Sequence, residues 1–195
     1  MTYTIIIKDG DKMGIGVVSG SIAVGSRVPW IKYGVGAVAT QAHTNVNLGP
    51  MLLSLLEKYN AEEALKLGIS QDPQRELRQV GVMDWQGRAS VYTGSLAFLE
   101  RGEIVKKNKL CMGNLLKSMD VVNALNAGSD ISGSVEERIL NALEEAHQAG
   151  GDARGDRSAV LIVVGKNEPY DRLVDIRVDY SHNPIKKLRG IYEML

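Results

Sequence analysis

Thr2 stands directly behind Met1 and heads an apolar run, Thr4-Ile5-Ile6-Ile7. A cytosolic aminopeptidase removes Met when a small residue follows, and a chain that then began at Thr2 would carry a nucleophilic hydroxyl and a basic α-amine on one residue. An N-terminal amine can activate a threonine in this way. With a pKa of about 7.7–8.0, such an amine is roughly one-fifth to one-third neutral near pH 7.4, so it accepts a proton without special tuning. Met-Thr starts also occur without catalysis, so the surrounding residues must decide.

Other chemistry-bearing groups are few. Gly14-Ile15-Gly16-Val17-Val18-Ser19 looks like a dinucleotide fingerprint, but its glycines fall within a strand and no helix starts among them, so it is rejected. His43, His147 and His182 lack metal-ligand spacing, and no metal or cofactor is expected. His147 sits near a helix end, where an imidazole can complement the dipole. In Thr40-Gln41-Ala42-His43-Thr44-Asn45, polar groups crowd behind a strand of small residues. They either line a site or satisfy the backbone of a turn. Gly150-Gly151-Asp152-Ala153-Arg154-Gly155-Asp156-Arg157-Ser158 is a glycine-rich loop with four charges. Arg154 there could clamp an anionic or amide-bearing substrate, or simply pair with Asp152 in a solvated loop. The lone Cys111, between Leu110 and Met112, reads as a buried small hydrophobe.

These groups need elements to hold them. Thr2 to Lys8 and Met13 to Val18 form a hairpin around Asp9-Gly10-Asp11-Lys12, and Gly34 to Gln41 reads as a strand whose small side chains allow close approach. Ser19 to Tyr33 reads as a loop. Helices are expected over Met51 to Tyr59 and from an Asn60 cap with Glu63 to Asp72-Pro73. Two more run from Asn114 or Ser118 to Gly128, and over Val135 to Ala149 behind a Ser134/Glu137 capping box. A second hairpin joins Leu77–Met83 to Arg88–Thr93. Strands Ser158–Val164 and Leu173–Val178, connected across Lys166 to Asp171, precede a short helix from Pro184. Strands in hairpin-linked groups separated by helices favour α+β with antiparallel sheet.

The chain has 195 residues, which suits a single domain over 1–195 with a sizeable core. Lys plus Arg and Asp plus Glu are equal at 23 each, so neither nucleic acid nor an anionic membrane is the expected partner. No apolar stretch is long enough to span a bilayer and no secretory signal is seen, which makes the cytoplasm the default. Apolar helix faces on a small domain are compatible with a homodimer.

Several segments together resemble one family: Thr2-Tyr3-Thr4-Ile5, Val28-Pro29-Trp30, Gly34 through Ala42, Gln79-Val80-Gly81-Val82-Met83-Asp84, Gly113-Asn114-Leu115-Leu116 and Gly150-Gly151-Asp152. The resemblance is to domain-of-unknown-function family 1028, in the N-terminal-nucleophile (Ntn) hydrolase superfamily. It implies a four-layer αββα sandwich with two antiparallel sheets. It also implies an amidohydrolase that forms an acyl-enzyme on Thr2 with a small amide or peptide-like substrate. Oxyanion or substrate-binding candidates are a backbone N–H near Ser19 to Ser21, the Gln41 and Asn114 amides and the Ser158 hydroxyl. His43 and Asn45 are further candidates, and the Asp152/Arg154 pair would orient amine or substrate. The chain departs from the family at Lys109-Leu110-Cys111-Met112, where a Gln is missing, and at Asp156-Arg157-Ser158. Lys32 lies in the region where a pKa-lowering lysine would be sought. The alternative function is a catalytically inactive binding or scaffolding protein of the same fold.

Overall fold

In a computed structural model, which describes residues 2–166 and 171–195, the chain forms two antiparallel sheets packed face to face between layers of helices. The first strands are β1 (Thr2–Asp9) and β2 (Lys12–Ser19), followed by β3 (Pro29–Lys32) and β4 (Gly36–Ala42). Helices α1 (Leu48–Leu56) and α2 (Ala61–Ser70) come next, then strands β5 (Arg78–Asp84), β6 (Ala89–Thr93), β7 (Gly102–Lys106) and β8 (Lys109–Asn114). The chain continues with α3 (Asp120–Gly128), α4 (Val135–Gln148), β9 (Ser158–Gly165), β10 (Arg172–Val178) and α5 (Pro184–Tyr192). One sheet has the order β10-β9-β2-β1-β8-β7 and the other β3-β4-β5-β6.

Side-chain alternation along the strands builds the layers. On β1, Tyr3, Ile5 and Ile7 face α4 and share one apolar cluster with residues of α3 and α5, while Ile6 joins Met13, Ile15 and Val17 of β2 between the sheets. On β9, Leu161 and Val163 face the helices, and Val160, Ile162 and Val164 face the other sheet. Both faces of these central strands are covered, which is why they read as continuous apolar runs. A third cluster joins Val38, Val80 and Val82 to Leu48, Leu52, Ala64 and Leu65 of α1 and α2. The expected α+β, four-layer sandwich is thus the observed architecture.

The glycines of the rejected nucleotide motif have a packing explanation. A Cβ at Gly16 would collide with Ile139 of α4 and crowd Leu143, and one at Gly14 would meet Ile139 and Val135. Small residues on β2 let the helix lie directly on the sheet. The Asn60/Glu63 capping box forms as expected. At α4 only half of the expected box forms: Ser134 accepts from the Glu137 N–H, but the Glu137 carboxylate turns to Arg189 of α5.

Three expectations are corrected. Part of the Ser19–Tyr33 loop is β3, an edge strand whose first residue, Pro29, costs no ladder bond there. Gly102–Lys106 and Lys109–Asn114, unassigned in the sequence, form the β7–β8 hairpin around Lys107 and Asn108, where Asn108 takes a left-handed φ of 65°. Asn114 therefore ends a strand and does not open a helix, and α3 begins at Asp120. The connection read across Lys166 to Asp171 lies in part outside the described residues. Burial pushes the Cys111 thiol up to about 12, as suits an inert core residue.

A buried ion pair sets the acid limit of the smaller sheet. Arg78 Nε lies 2.9 Å from Asp72 Oδ2, and Asn45 and the Gln74 N–H also donate to that carboxylate. The Arg78 hydrogen bond, aided by these donors, lowers Asp72 from 3.8 to about 2. The stability it contributes is present above the unfolded pKa and is lost as pH falls toward about 2. The linked amount is on the order of 2 kcal/mol. Urea midpoints of Asp72→Asn should lack the loss of this size that the parent shows between about pH 4 and 2; equal acid slopes for the two proteins would contradict the assignment. Gly16→Val should cost about 1–3 kcal/mol or more by overpacking α4, and an unchanged melting midpoint would rule out that close approach.

Candidate active site

Thr2, at the head of β1, is opposite Ser19 of β2 on one side and Asn114 of β8 on the other. Ser19 is in turn opposite Ser158 of β9. The four residues make one row across the larger sheet, and all are buried. Each shares the face of the inward-pointing apolar residues of its own strand, Ile6, Val17, Met112 and Val160, so the row faces the smaller sheet. There Gln41 of β4 is opposite Gln79 of β5, which is opposite Thr93 of β6. The interior of the sandwich, apolar along most of its length, ends in two facing polar rows.

Hydrogen bonds tie the rows together in a fixed direction. The Gln41 Nε2 amide donates to the Thr2 carbonyl at 3.2 Å and to Gln79 Oε1 at 2.7 Å, while Thr4 Oγ1 donates to Gln41 Oε1 at 2.7 Å. A carbonyl can only accept, so the Thr2 carbonyl decides which end of Gln41 carries nitrogen. Gln79 must then present its oxygen to Gln41. That same oxygen takes Asn114 Nδ2 at 3.1 Å, which turns Asn114 Oδ1 away. Asn114 Oδ1 is buried and, among the described residues, has no hydrogen-bond partner. Leaving a buried acceptor unsatisfied costs about 1–3 kcal/mol, so this oxygen, on the residue opposite Thr2, is open to a donor.

The Thr2 hydroxyl donates to Ser19 Oγ at 3.2 Å, and Ser19 Oγ also accepts the Ser21 N–H at 3.1 Å. Thr2 is 3% exposed, but its surroundings are hydroxyls and amides, not apolar groups. Behind it, Asp152 accepts from the Gly20 N–H at 2.7 Å, the Arg154 N–H at 2.9 Å and the Arg154 guanidinium at 3.1 Å. Ser158 Oγ donates to the Ser21 carbonyl at 2.6 Å and accepts the Val24 N–H, so it fixes the segment that follows Ser19.

Of the residues singled out in the sequence, Thr2, Ser19, Gln41 and Asn114 converge, with Ser158, Asp152 and Arg154 bracing the Gly20–Ser21 segment. His43 and Asn45 are engaged elsewhere: the exposed His43 ring lies 4.7 Å from Phe98, and Asn45 binds Asp72. Among the described residues, neither side chain bonds to Thr2, Ser19, Gln41 or Asn114. The Gly20 and Ser21 N–H groups, considered as oxyanion donors, are already donated to Asp152 and Ser19. Lys32 is exposed, forms an ion pair with Glu57, and is opposite Gly36 at the end of β4 away from Gln41. It is no counterpart of a lysine beside the nucleophile. Gln79 and Thr4 were not recognised from the sequence as site residues; a polar side chain at an inward position of an otherwise apolar strand was the available signal. Among the described residues, no group of three or more His, Cys, Asp or Glu side chains is gathered as metal ligands would be.

The model of a family of unknown function, DUF1028, matches residues 2–188, and the chain belongs to that family. The crystal structure of protein SPO2555 from Silicibacter pomeroyi, of the same family, superposes with a TM-score of 0.91 at 30% identity, over 99% of this chain and 85% of that one. Eukaryotic HslV from Trypanosoma brucei is similar with a TM-score of 0.52 at 12% identity, over 84% of this chain and 99% of its own. That second likeness shows the fold alone, which is the Ntn-hydrolase fold. No curated protein matches the chain.

Gln41→Met keeps the side-chain volume but strands the Thr4 hydroxyl and frees two carbonyl oxygens from their donor. It should destabilise the protein by about 1–3 kcal/mol in urea unfolding with an unchanged m-value. A loss below about 0.5 kcal/mol would mean that the amide chain is not the joint between the sheets.

Proposed function

We propose that this protein is an N-terminal-nucleophile amidohydrolase acting on a small amide or peptide-like substrate once Met1 has been removed in the cytoplasm. The observation that carries the reading is the buried polar row that includes Thr2, with an orphan acceptor, Asn114 Oδ1, on the neighbouring residue of β8. A freed α-amine brings up to three donors to that spot, and Asn114 Oδ1 would take one of them, orienting the nitrogen lone pair of the neutral form.

In the proposed reaction the Thr2 Oγ1 proton passes to the α-amine as Oγ1 bonds to the substrate carbonyl carbon. The carbon–nitrogen bond then breaks, the departing amine takes that proton, and an ester on Thr2 remains. Water, deprotonated by the same amine, attacks the ester and releases the acid, restoring the hydroxyl. Ser19 Oγ, which accepts from Thr2 at rest, holds the nucleophile's rotamer, and low-dielectric surroundings strengthen each hydrogen bond. A pre-aimed donor for the oxyanion is the largest single aid such a site can have. The Ser21 N–H is the candidate, once it exchanges Ser19 Oγ for the developing charge.

One observation favours a second reading, a catalytically inactive binding protein of the same fold: both backbone N–H groups behind Ser19 are occupied at rest. Intact-mass spectrometry after exposure to a β-lactone separates the two. Protein lacking Met1 should gain one probe mass on Thr2, and Thr2→Ala should slow labelling about 10³-fold or more. Labelling that persists in Thr2→Ala, or none on protein shown to lack Met1, would remove the hydrolase reading and leave the binding one.

A further inference from the structure

A second cluster of chemistry-bearing side chains lies apart from the polar rows. His147, Arg154, Gly155, Asp156, Arg157, Tyr180 and His182 line a cavity of about 450 Å³. They come from three places in the chain: the last turn of α4, the glycine-rich loop before β9, and the segment after β10. A cavity of this size suits a small molecule of metabolite dimensions.

Its charge is one-sided once internal bonds are assigned. Asp156 is the one carboxylate in the lining, and its side chain is 1% exposed. Asp156 Oδ2 accepts from Tyr3 OH at 2.6 Å and meets His147 Nδ1 at 2.7 Å, and Oδ1 accepts the Asp152 N–H at 3.0 Å. Burial, and then the adjacent Asp156 charge, raises the Tyr3 phenol well above its usual value, so it remains a donor. A carboxylate offers no proton, so His147 must donate from Nδ1. The second ring nitrogen, Nε2, is then left on the far side of a half-exposed ring, where it donates to an anion as imidazolium or accepts from a phosphate O–H as neutral imidazole.

Arg157 is held by its backbone, with its N–H on the Ser19 carbonyl and its carbonyl taking the Ser181 N–H, both at 2.8 Å. Among the described residues its guanidinium has no hydrogen bond or ion pair. Arg154 directs Nε and Nη2 to Asp152 and Ser21 and keeps Nη1 uncommitted. His182 stacks edge-on with Tyr180 at 5.6 Å, and its Nε2 lies 3.4 Å from the tyrosine hydroxyl.

We propose that this cavity is a binding site for the phosphate group of a small phosphorylated molecule. An unpaired guanidinium fork matches two oxygens of a phosphate. Arg154 approaches from the same loop and His147 and His182 from two other chain segments, which fits a tetrahedral group better than a planar carboxylate. The buried Tyr3–Asp156–His147 chain fixes the imidazole at the cavity wall, and the lining carboxylate has both oxygens engaged by protein donors. Loop residues Asp152 and Arg157 also bond to Gly20 and Ser19, so an occupied cavity would stiffen the segment behind Thr2. The site itself does not depend on Thr2 being a nucleophile.

Calorimetric titration of the full chain with phenyl phosphate tests this. Saturable binding with a Kd below about 10 mM is expected. Arg157→Gln and His147→Gln should each weaken it about tenfold or more, while Thr2→Ala and the distant Arg75→Gln bind as the parent does. Folding of each variant is checked by its melting midpoint, and where one variant has lost structure the folded one decides: weakened binding supports the site and undiminished binding overturns it. Absence of saturable binding, undiminished binding in a folded Arg157→Gln, or tighter binding of benzoate than of phenyl phosphate would overturn the proposal. Loss of β-lactone labelling with intact phosphate binding would strike the hydrolase reading alone.

Discussion

Burying a row of polar side chains between two sheets is the constraint from which the rest of this structure follows. Amides and hydroxyls removed from water must be paired inside, at about 1–3 kcal/mol for each group left alone. Here the pairing is directional. The Thr2 carbonyl fixes Gln41, Gln41 fixes Gln79, and Gln79 fixes Asn114, so three amides from three strands share one orientation set by the backbone of β1. Among the described residues, the acceptor of this amide chain left over, Asn114 Oδ1, belongs to the residue opposite Thr2 on β8.

Packing elsewhere keeps this arrangement rigid. Apolar side chains fill the space between the sheets over the remaining rows, and α4 presses on Gly14 and Gly16 of β2 from outside. Arg78, in the residue before Gln79, is locked to Asp72, which holds the start of β5. On the helix side, Tyr3 reaches Asp156 and braces the loop that carries Asp152, while Asp152 holds Gly20 behind Ser19. Residues 2 and 3 thus serve opposite faces of one strand: Thr2 turns into the sandwich, and Tyr3 ties the site to the loop before β9.

The local elements were legible where periodicity and capping were strong. The β1–β2 hairpin, α2 with its Asn60 cap and α4 all follow from their residues, and the hairpin-linked strand groups pointed to antiparallel sheets. The β7–β8 hairpin was hidden because its strands carry lysines at the turn and because an asparagine before a leucine pair imitates a helix cap. The candidate site was half legible. Thr2, Ser19, Gln41, Asn114 and Ser158 could be singled out by type, but their alignment in rows depends on strand register, which brings together residues more than a hundred positions apart. The His147–Asp156–Tyr3 chain was invisible for the same reason: Tyr3 and Asp156 are 153 positions apart, and His147 had a sufficient local explanation at a helix end.

The chain's membership in DUF1028 and its Ntn-hydrolase fold give the architecture, and the directed amide chain gives the reason for expecting an amine at its end. A high-resolution crystal structure of the protein lacking Met1 measures this directly, as the separation between the Thr2 nitrogen and Asn114 Oδ1. A hydrogen bond of about 2.7–3.2 Å is predicted. A nitrogen turned toward solvent, with Asn114 Oδ1 bonded to water or rotated to another donor, would contradict the account.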